Sequence, residues 1–352
     1  ANIPLNNNLL RPSPTTRCLA EEWDARHRVR TNIGTLRAMP AGAPPPALRC
    51  KPNNIPLHLK ENKMNINIIF DGLSLGAIYA LIALGYTMVY GIAKMLNFAH
   101  GDIIMVGAYS ILCTLGLMGM PIIALVAAIV ICTAMGILIE KVAYKPLRGA
   151  SPLAVLITAI GVSNLLQGTA QLIFGSASRQ VSHLSLGFLK IGNFEMNKGT
   201  LVTLVVGGIL MVALTLFVKK TKTGRAMLAV SEDRGAAQLM GVNVNRIIMI
   251  TFAIGSALAA FASLFYLMNI PSVNPTLGAM PGIKAFTAAV IGGIGSIPGA
   301  MLGGILLGMV ENICKSIPVV SDYTTAIEFS MLIVILLVRP IGLLGKKRRE
   351  KV

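Results

Sequence analysis

Three polar residues lie close together in a part of the chain that is otherwise apolar. Asn97, His100 and Asp102 occur in the string LNFAHGD, between two long apolar runs. Ionisable residues among apolar spans are functional candidates, so these three are candidates for a translocation path or gate. The alternative is an ordinary turn in which Asp102 caps the next helix. A metal site is not expected, since His100 has no second His or Cys at ligand spacing.

Other reactive groups are sparse. The sequence contains no phosphate loop, catalytic triad or zinc motif, so it predicts no enzyme, cofactor or metal. Lys284 alone looks deep within an apolar segment, and the acidic residues near the predicted span ends are Asp71, Glu140, Glu311 and Glu328. An ion-gradient-driven secondary transporter or channel tends to place ionisable residues at the membrane midplane, and that function remains an alternative.

A polar stretch, residues 219–246, lies between two long apolar runs and predicts a short helix. Ser231 can cap the helix start, which would place Glu232 and Asp233 in the first turn, where the helix dipole favours negative charge. Gly241 can take the left-handed conformation that ends a helix. The expected helix has about two turns and would be marginal alone in water.

One face of this predicted helix suits a partner. Ala236, Leu239 and Met240 follow the i, i+3, i+4 spacing that places side chains on one face. Ala236 and Ala237 are small enough for close approach to a neighbouring surface. We therefore expect a groove on another protein to receive the helix, and the alternative is a solvated loop with some helix in it.

Composition indicates a membrane protein. The chain has 352 residues, of which 54% are hydrophobic and only 13% charged, whereas a soluble domain is about a quarter charged. The net charge of +17 does not predict nucleic-acid binding, because the basic residues cluster in particular loops between apolar spans. The five cysteines do not form the pattern of a disulfide framework.

Residues 1–63 differ from the rest of the chain. They are basic, contain the run Pro44-Pro45-Pro46 and show no sustained helical or strand period, so we expect a disordered extension outside the membrane domain. The alternative is a native basic arm that binds anionic lipid or a partner. Met64 precedes the first apolar span, and residues 64–352 are expected to form a single transmembrane domain.

Apolar segments of near the ~20 residues that cross a bilayer as a helix follow one another along this domain. They predict an all-α, polytopic helical bundle of eight to ten transmembrane or re-entrant segments, with nine as the direct count. The expected spans are 66–92, 103–118, 120–140, 152–175, 200–218, 247–270, 276–295, 298–314 and 324–338.

Basic residues set the expected orientation. Sixteen Lys or Arg, Lys94 included, fall on one side if the loops 141–148 and 219–246 and the C-terminus are cytoplasmic, and four fall on the other. The loop 176–199 is then the sizeable external one. It predicts a small hairpin or an interfacial helix, which would serve either as a docking surface for another protein or as a mere connector.

Glycines recur at helix-packing spacing in the stretch 282–308. Bare glycine faces let helix backbones approach closely in lipid, which favours helix packing. A nucleotide loop is excluded, since no Gly-Lys-Ser/Thr follows and Pro298 replaces a glycine of the dinucleotide pattern. The glycines in question are Gly295, Gly299, Gly303, Gly304 and Gly308.

Three strings carry a resemblance to a known family. Ala236, Ala237 and Gly241 match the pattern Glu-Ala-Ala, three residues, Gly of ABC importer permeases, with Gly235 at the Glu position. The wider string GRAMLAVSEDRGAAQLMGVNVNRI, together with LNFAHGD and the glycine-rich stretch, resembles the branched-chain amino acid permeases of the LivH type. The resemblance covers Met64 to about Val352.

The resemblance implies a transport subunit in the bacterial inner membrane. Such a chain would pair with a second permease subunit of related sequence, two cytoplasmic ATP-binding subunits and a periplasmic substrate-binding protein that delivers Leu, Ile or Val. ATP-driven closure of the ATPase subunits would be transmitted by the helix near 232–241, and the spans would give alternating access. Membrane lipid would surround them.

Overall fold

The computed structural model of the chain describes residues 66–181, 184, 187–191 and 194–345. The predicted extension 1–63 lies outside the described residues. The α-helices are α1 (Ile66–Ala93), α2 (His100–Met118), α3 (Pro121–Ile139), α4 (Pro152–Phe174), α5 (Lys198–Lys220), α6 (Lys222–Glu232), α7 (Arg234–Leu239), α8 (Val244–Asn269), α9 (Ala279–Gly292), α10 (Ile297–Ser316) and α11 (Thr324–Val338).

Eight helices of the described residues are long and apolar enough to cross a membrane when α11 is counted together with the 3₁₀ turn Ser321–Tyr323 that precedes it, which confirms the prediction of an all-α multispan bundle. In α1 and α8, 67% of the most apolar window is buried, against 17% in α4 and 11% in α11. Helices α1 and α8 therefore lie at the centre of the bundle, and α4 and α11 lie at its periphery.

The apolar segment predicted at 276–295 does not span as one helix. Within it, α9 has 14 residues, about 21 Å of helix, which is shorter than the roughly 30 Å hydrocarbon core. Gly293, with φ of 107°, ends α9, and Gly295, with φ of 92°, lies in the turn that follows. Ser296 then caps α10 by accepting a hydrogen bond from the Gly299 nitrogen at 3.3 Å.

Two small antiparallel pairs are the strands of the described residues. Strands β2 (Phe188–Ile191) and β3 (Phe194–Asn197) form a hairpin, so the loop 176–199 takes the first of its two expected forms. Strand β1 (Arg179–Gln180) pairs with β4 (Ser272–Val273), which follows α8. The β1–β4 pair places the start of the loop 176–199 and the chain after α8 at the same end of the bundle.

Glycines bring α1 and α10 into backbone contact. A Cβ atom on Gly304 would overlap the backbone of Ala80, and one on Gly308 would overlap Gly76. A Cβ on Gly303 would meet the Ala288 carbonyl oxygen on α9. Because lipid provides no hydrophobic drive for helix association, such close contact supplies the packing energy.

Gly299 and Gly295 have separate positions. Gly299 faces the Gly292 carbonyl at the end of α9, whereas Gly295 precedes α10 and does not belong to its helical face. Gly295 approaches Gly91 of α1 instead, with a built Cβ 3.9 Å from the Gly91 α-carbon. The predicted glycine face therefore lies on one helix only from Gly299 onwards.

Two helices begin inside the bundle. His100, the first residue of α2, packs against Gly85, which lies about 12 Å before the end of α1 at a rise of ~1.5 Å per residue. The N-terminal turns of α2 and α9 meet where Gly101 lies against Gly278 and Gly282. Non-helical backbone within a bundle is tolerated where protein surrounds it, as it does here.

A buried ionic cluster holds α9 in place. The Lys284 ammonium lies 2.8 Å from Glu311 Oε1 on α10 and 3.1 Å from Glu328 Oε2 on α11. Glu311 also accepts a 2.7 Å hydrogen bond from the Tyr79 hydroxyl of α1 and pairs with Lys315 at 2.6 Å. The sequence identified Lys284 as deep but did not predict this cluster, because its members lie far apart in the chain.

We predict that Gly304→Ala destabilises the chain by roughly 1–3 kcal/mol, as overpacking does. The added methyl would meet the Ala80 backbone, which cannot rotate away as a side chain can. The control is Gly208→Ala on α5, where nothing lies within 4 Å of a built Cβ. Thermal unfolding in detergent should separate the two variants, and equal melting temperatures would show that the α1–α10 contact is loose.

We predict that Lys284→Ala costs about 3–5 kcal/mol, since it leaves two carboxylates buried without their shared cation. Lys315→Ala is the matched control: its side chain is 51% exposed, so its loss should cost about 1 kcal/mol or less. Unfolding of both purified variants in detergent measures the difference. A Lys284→Ala chain as stable as the Lys315→Ala chain would contradict an essential role of the cluster in holding α9.

Candidate functional site

The turn between α1 and α2 carries Asn97, and the structure fixes this side chain in the bundle. Asn97 Oδ1 accepts a 2.8 Å hydrogen bond from the hydroxyl of Tyr144. Tyr144 ends a short π-helix, Glu140–Tyr144, that continues α3. Asn97 is only 3% exposed, and its Nδ2 has no hydrogen-bond partner among the described residues. The contact joins the turn to the end of α3.

His100 fills a gap between helices. Its ring packs edge-on against Tyr86, with ring centroids 4.9 Å apart. Gly85 of α1 and Gly255 of α8 leave the space for the imidazole. The residue is 1% exposed, so in this conformation the ring packs the junction of α1, α2 and α8.

Asp102 joins α2 to the peripheral helix α4. Its Oδ1 accepts a 2.9 Å hydrogen bond from Gln167 Nε2, and the residue is 1% exposed. It does not cap α2: the cap position is Ala99, which makes no side-chain cap hydrogen bond. The three polar residues thus tie one turn to several helices. All three are buried, and Asn97 also lines a small cavity together with Tyr86 and Phe286.

The stretch 219–246 folds into two helices instead of one. Thr221 caps α6 by accepting a hydrogen bond from the Gly224 nitrogen at 2.9 Å. Helix α6 runs on through Ser231 and Glu232, so these residues end a helix and do not begin one. Asp233 then interrupts the helical conformation with an extended φ of −149°. It caps α7 by accepting a 3.0 Å hydrogen bond from Ala236 N.

Helix α7 presents an apolar surface to solvent. Leu239 and Met240 are 91% and 84% exposed, and Ala236 is exposed on the same face. Ala237 is 4% exposed and faces the bundle. Gly241, with φ of 83°, turns the chain back towards α8 and leaves open space where a side chain would stand.

Helix α6 supports α7 on the bundle. Met227 and Val230 of α6 are at most 1% exposed, so its apolar face is packed. A polar contact lies nearby: Arg148 donates hydrogen bonds both to Glu140 at the end of α3 and to Asn245 at the start of α8. Helix α7 is therefore attached to the bundle next to a well-packed helix, α6, while its own apolar face remains exposed.

A second uncovered surface, which the sequence did not lead us to predict, lies along α4. Gly161, Asn164, Gly168 and Gln171 follow one another at helical spacing along α4. No atom lies within 4 Å of a Cβ built on either glycine, and Asn164 and Gln171 are exposed. The string SNLLQGTAQ, in which amides recur every third or fourth residue of an apolar span, is the signal that could have revealed it.

Contact between this stripe on α4 and lipid would be energetically unfavourable. Amide side chains in a hydrocarbon environment cost free energy unless they find hydrogen-bond partners. Small residues together with Asn or Gln are typical of membrane helix interfaces. The exposed stripe of α4 therefore has the composition of a helix–helix contact.

Comparison with known proteins agrees with this architecture. Residues 68–336 match the family model described as "Branched-chain amino acid transport system / permease component". The chain is 44% identical over 299 residues to the high-affinity branched-chain amino acid transport system permease protein BraD of Pseudomonas aeruginosa, covering 81% of this chain and 97% of BraD. It is 44% identical over 298 residues to the permease protein LivH of Escherichia coli strain K12, covering 81% and 96%.

One solved structure, PsaBC from Streptococcus pneumoniae in complex with Fab, aligns with a TM-score of 0.45 at 16% identity and covers 80% of this chain and 94% of that one. The family match extends from α1 into α11 and includes both the exposed apolar face of α7 and the amide stripe of α4. The resemblance inferred from the sequence is confirmed, and this chain belongs to the family of permease components of branched-chain amino acid transport systems.

Proposed function

We propose that this chain is the membrane-spanning permease subunit of an ATP-driven ABC importer for the branched-chain amino acids Leu, Ile and Val. Membership of the permease family supports the substrate class. The observation that carries the coupling to ATP is the exposed apolar face of α7, which ends in Leu239 and Met240. The loop 219–246, with α6 and α7, and the C-terminus then lie in the bacterial cytoplasm.

Burial of this face would stabilise a complex. Full burial of a Leu or Met side chain is worth about 1.5–3 kcal/mol, and both side chains are almost fully exposed in this chain. Ala236 beside them is small, so a partner surface can approach the helix backbone closely. A groove on each of two cytoplasmic ATP-binding subunits, one per permease chain, is the proposed acceptor.

Energy must come from those subunits. The sequence has no phosphate loop to hold ATP, and the relatives are named as permease proteins. The chain therefore contributes the path and the coupling surface, and hydrolysis on the ATP-binding subunits drives alternating access.

A second permease subunit of related sequence is the proposed occupant of the α4 stripe. It would have to lie in the membrane, and its helices could approach Gly161 and Gly168 while offering hydrogen bonds to Asn164 and Gln171. Gln167 connects this stripe to the buried Asp102. The interface so formed would place amide groups along a boundary that a hydrophilic solute could cross.

The opposite end of the bundle, with the β2–β3 hairpin and the β1–β4 pair, is the proposed docking face of a periplasmic substrate-binding protein. In the orientation proposed above this end lies outside the cytoplasm. The binding protein would deliver the amino acid there, and the path between the permease chains would open first to that side and then to the cytoplasm.

We predict that Ala236→Arg prevents an ATP-binding subunit from co-purifying with the chain in detergent. A docked arginine would bury an unpaired charge, which weakens the complex severely. The control is Ala229→Arg, an exposed position on α6, where a surface substitution should change stability by about 0.5 kcal/mol or less. Pull-down of the ATP-binding subunit measures both variants.

A pull-down in which Ala236→Arg retains the ATP-binding subunit as well as Ala229→Arg would contradict docking on α7. If the wild-type chain retains none, and uptake collapses when a proton or sodium gradient is dissipated, the chain is a gradient-driven transporter instead.

We predict that Gly161→Phe disrupts assembly with the second permease chain while the single chain still inserts. A phenyl ring on the contact face would hold the helices apart, whereas on a lipid-facing surface it would be tolerated. Gly208→Phe on α5, also open around its built Cβ, is the matched control. Affinity purification through a tag on one permease chain measures recovery of the other, and equal recovery in both variants would place lipid, not protein, on α4.

A further inference from the structure

A side chain of α7 reaches the end of the central helix α1. Arg234, the first residue of α7, donates a hydrogen bond from Nη2 to the carbonyl oxygen of Ala93, the last residue of α1, 141 positions away in the chain. The last carbonyl groups of a helix lack partners within it, and a cation near them is favourable. Arg234 therefore satisfies and neutralises the C-terminal end of α1.

The guanidinium group makes this contact from a partly buried position. The pKa of Arg234 is lowered from its ordinary value, mainly by burial and to a smaller extent by the nearby positive charge of Arg148. Arginine nevertheless remains protonated in proteins. The hydrogen bond to the Ala93 carbonyl is therefore charge-assisted, which makes it roughly twice as strong as a neutral one.

The chain reverses immediately after the contact. Lys94 has φ of 52°, the one positive value at a non-glycine residue among those described. Such a conformation is uncommon for L residues and persists where neighbouring contacts hold it. Arg234 holds the chain just before Lys94, and the hydrogen bond between Asn97 and Tyr144 holds it just after.

This turn leads directly into α2, which begins inside the bundle. His100 and Asp102 are fixed by their contacts with α1, α8 and α4. A displacement of Ala93 would therefore move the start of α2. That start lies next to the contact between Gly101 and Gly278, the residue before α9.

We propose that Arg234 is the positioning residue that transmits movement of α7 to the end of α1 and to the turn 94–99. The inference rests on the proposed function, in which α7 docks on an ATP-binding subunit. The docking face and the transmitting contact are separate: Leu239 and Met240 point to solvent, while Arg234 points to the bundle. Loss of Arg234 should therefore spare docking and impair the conversion of ATP hydrolysis into transport.

The experiment uses the complete transporter, purified with its partner subunits and reconstituted in proteoliposomes with the substrate-binding protein. It measures the number of leucine molecules taken up per ATP hydrolysed, together with retention of the ATP-binding subunits. Arg234→Ala should retain these subunits and lower the ratio about tenfold or more, the factor that corresponds to losing one hydrogen bond to a charged group.

Two further variants sharpen the result. Arg234→Lys should recover part of the ratio, because an ammonium can still donate to the Ala93 carbonyl. Arg225→Ala removes the same charge from an exposed position on α6 and should leave the ratio unchanged. A role limited to folding would lower the amount of transporter and not the ratio of transport to hydrolysis.

Several outcomes would overturn the role of Arg234 and leave the proposed function standing. These are an unchanged ratio in Arg234→Ala, loss of the ATP-binding subunits from that variant, or failure of both Arg234 variants to accumulate in the membrane. A wild-type chain that retains no ATP-binding subunit would contradict the proposed function itself.

Discussion

The structure depends on the close approach of α1 and α10. Gly304 and Gly308 lie directly on the backbone of Ala80 and Gly76, with no room for a side chain between them. In lipid, where apolar side chains gain little by leaving the solvent, this contact brings many atom pairs together at short range. Helix α1 can then serve as the centre to which α2, α8 and α9 are fitted.

Two helices, α2 and α9, start within the bundle and depend on the position of α1. Helix α2 begins beside Gly85, and the N-terminal end of α9 meets it at Gly101. Helix α9 is too short to span, so its position depends on neighbours, and Lys284 supplies the strongest contacts through Glu311 and Glu328. A buried charge must be paired to be tolerated, which makes the cluster a specific determinant of where α9 lies.

Most of the spans were predictable because apolar runs of membrane length have few other uses, and eight long apolar helices among the described residues agree with eight of the nine expected spans. The ninth, 276–295, forms only the short helix α9. The end of α7 was also readable, since Gly241 has the positive φ that its residue type favours. The start was misplaced: Ser231 is a good cap residue, but Thr221 had already begun a helix that continues past it. Local propensity identifies possible caps and does not choose among them.

Other features depend on tertiary contacts that no local pattern encodes. Glu311 and Glu328 were assigned to span ends, yet both are at most 2% exposed and share Lys284. Asp102 was expected to cap α2 in one interpretation, and it accepts a hydrogen bond from Gln167 of α4 instead. The amide stripe on α4 does have a local signal in the amides of SNLLQGTAQ, and what the sequence could not show is that this face of α4 is uncovered.

The most direct test of the account is to measure what drives transport. Proteoliposomes that contain the purified complex of this chain with its partner subunits would be loaded with ATP and supplied with radiolabelled leucine and the binding protein. We expect uptake that requires hydrolysable ATP and the binding protein and that continues when proton and sodium gradients are dissipated. Uptake by this chain alone, without ATP and driven by an ion gradient, would contradict it.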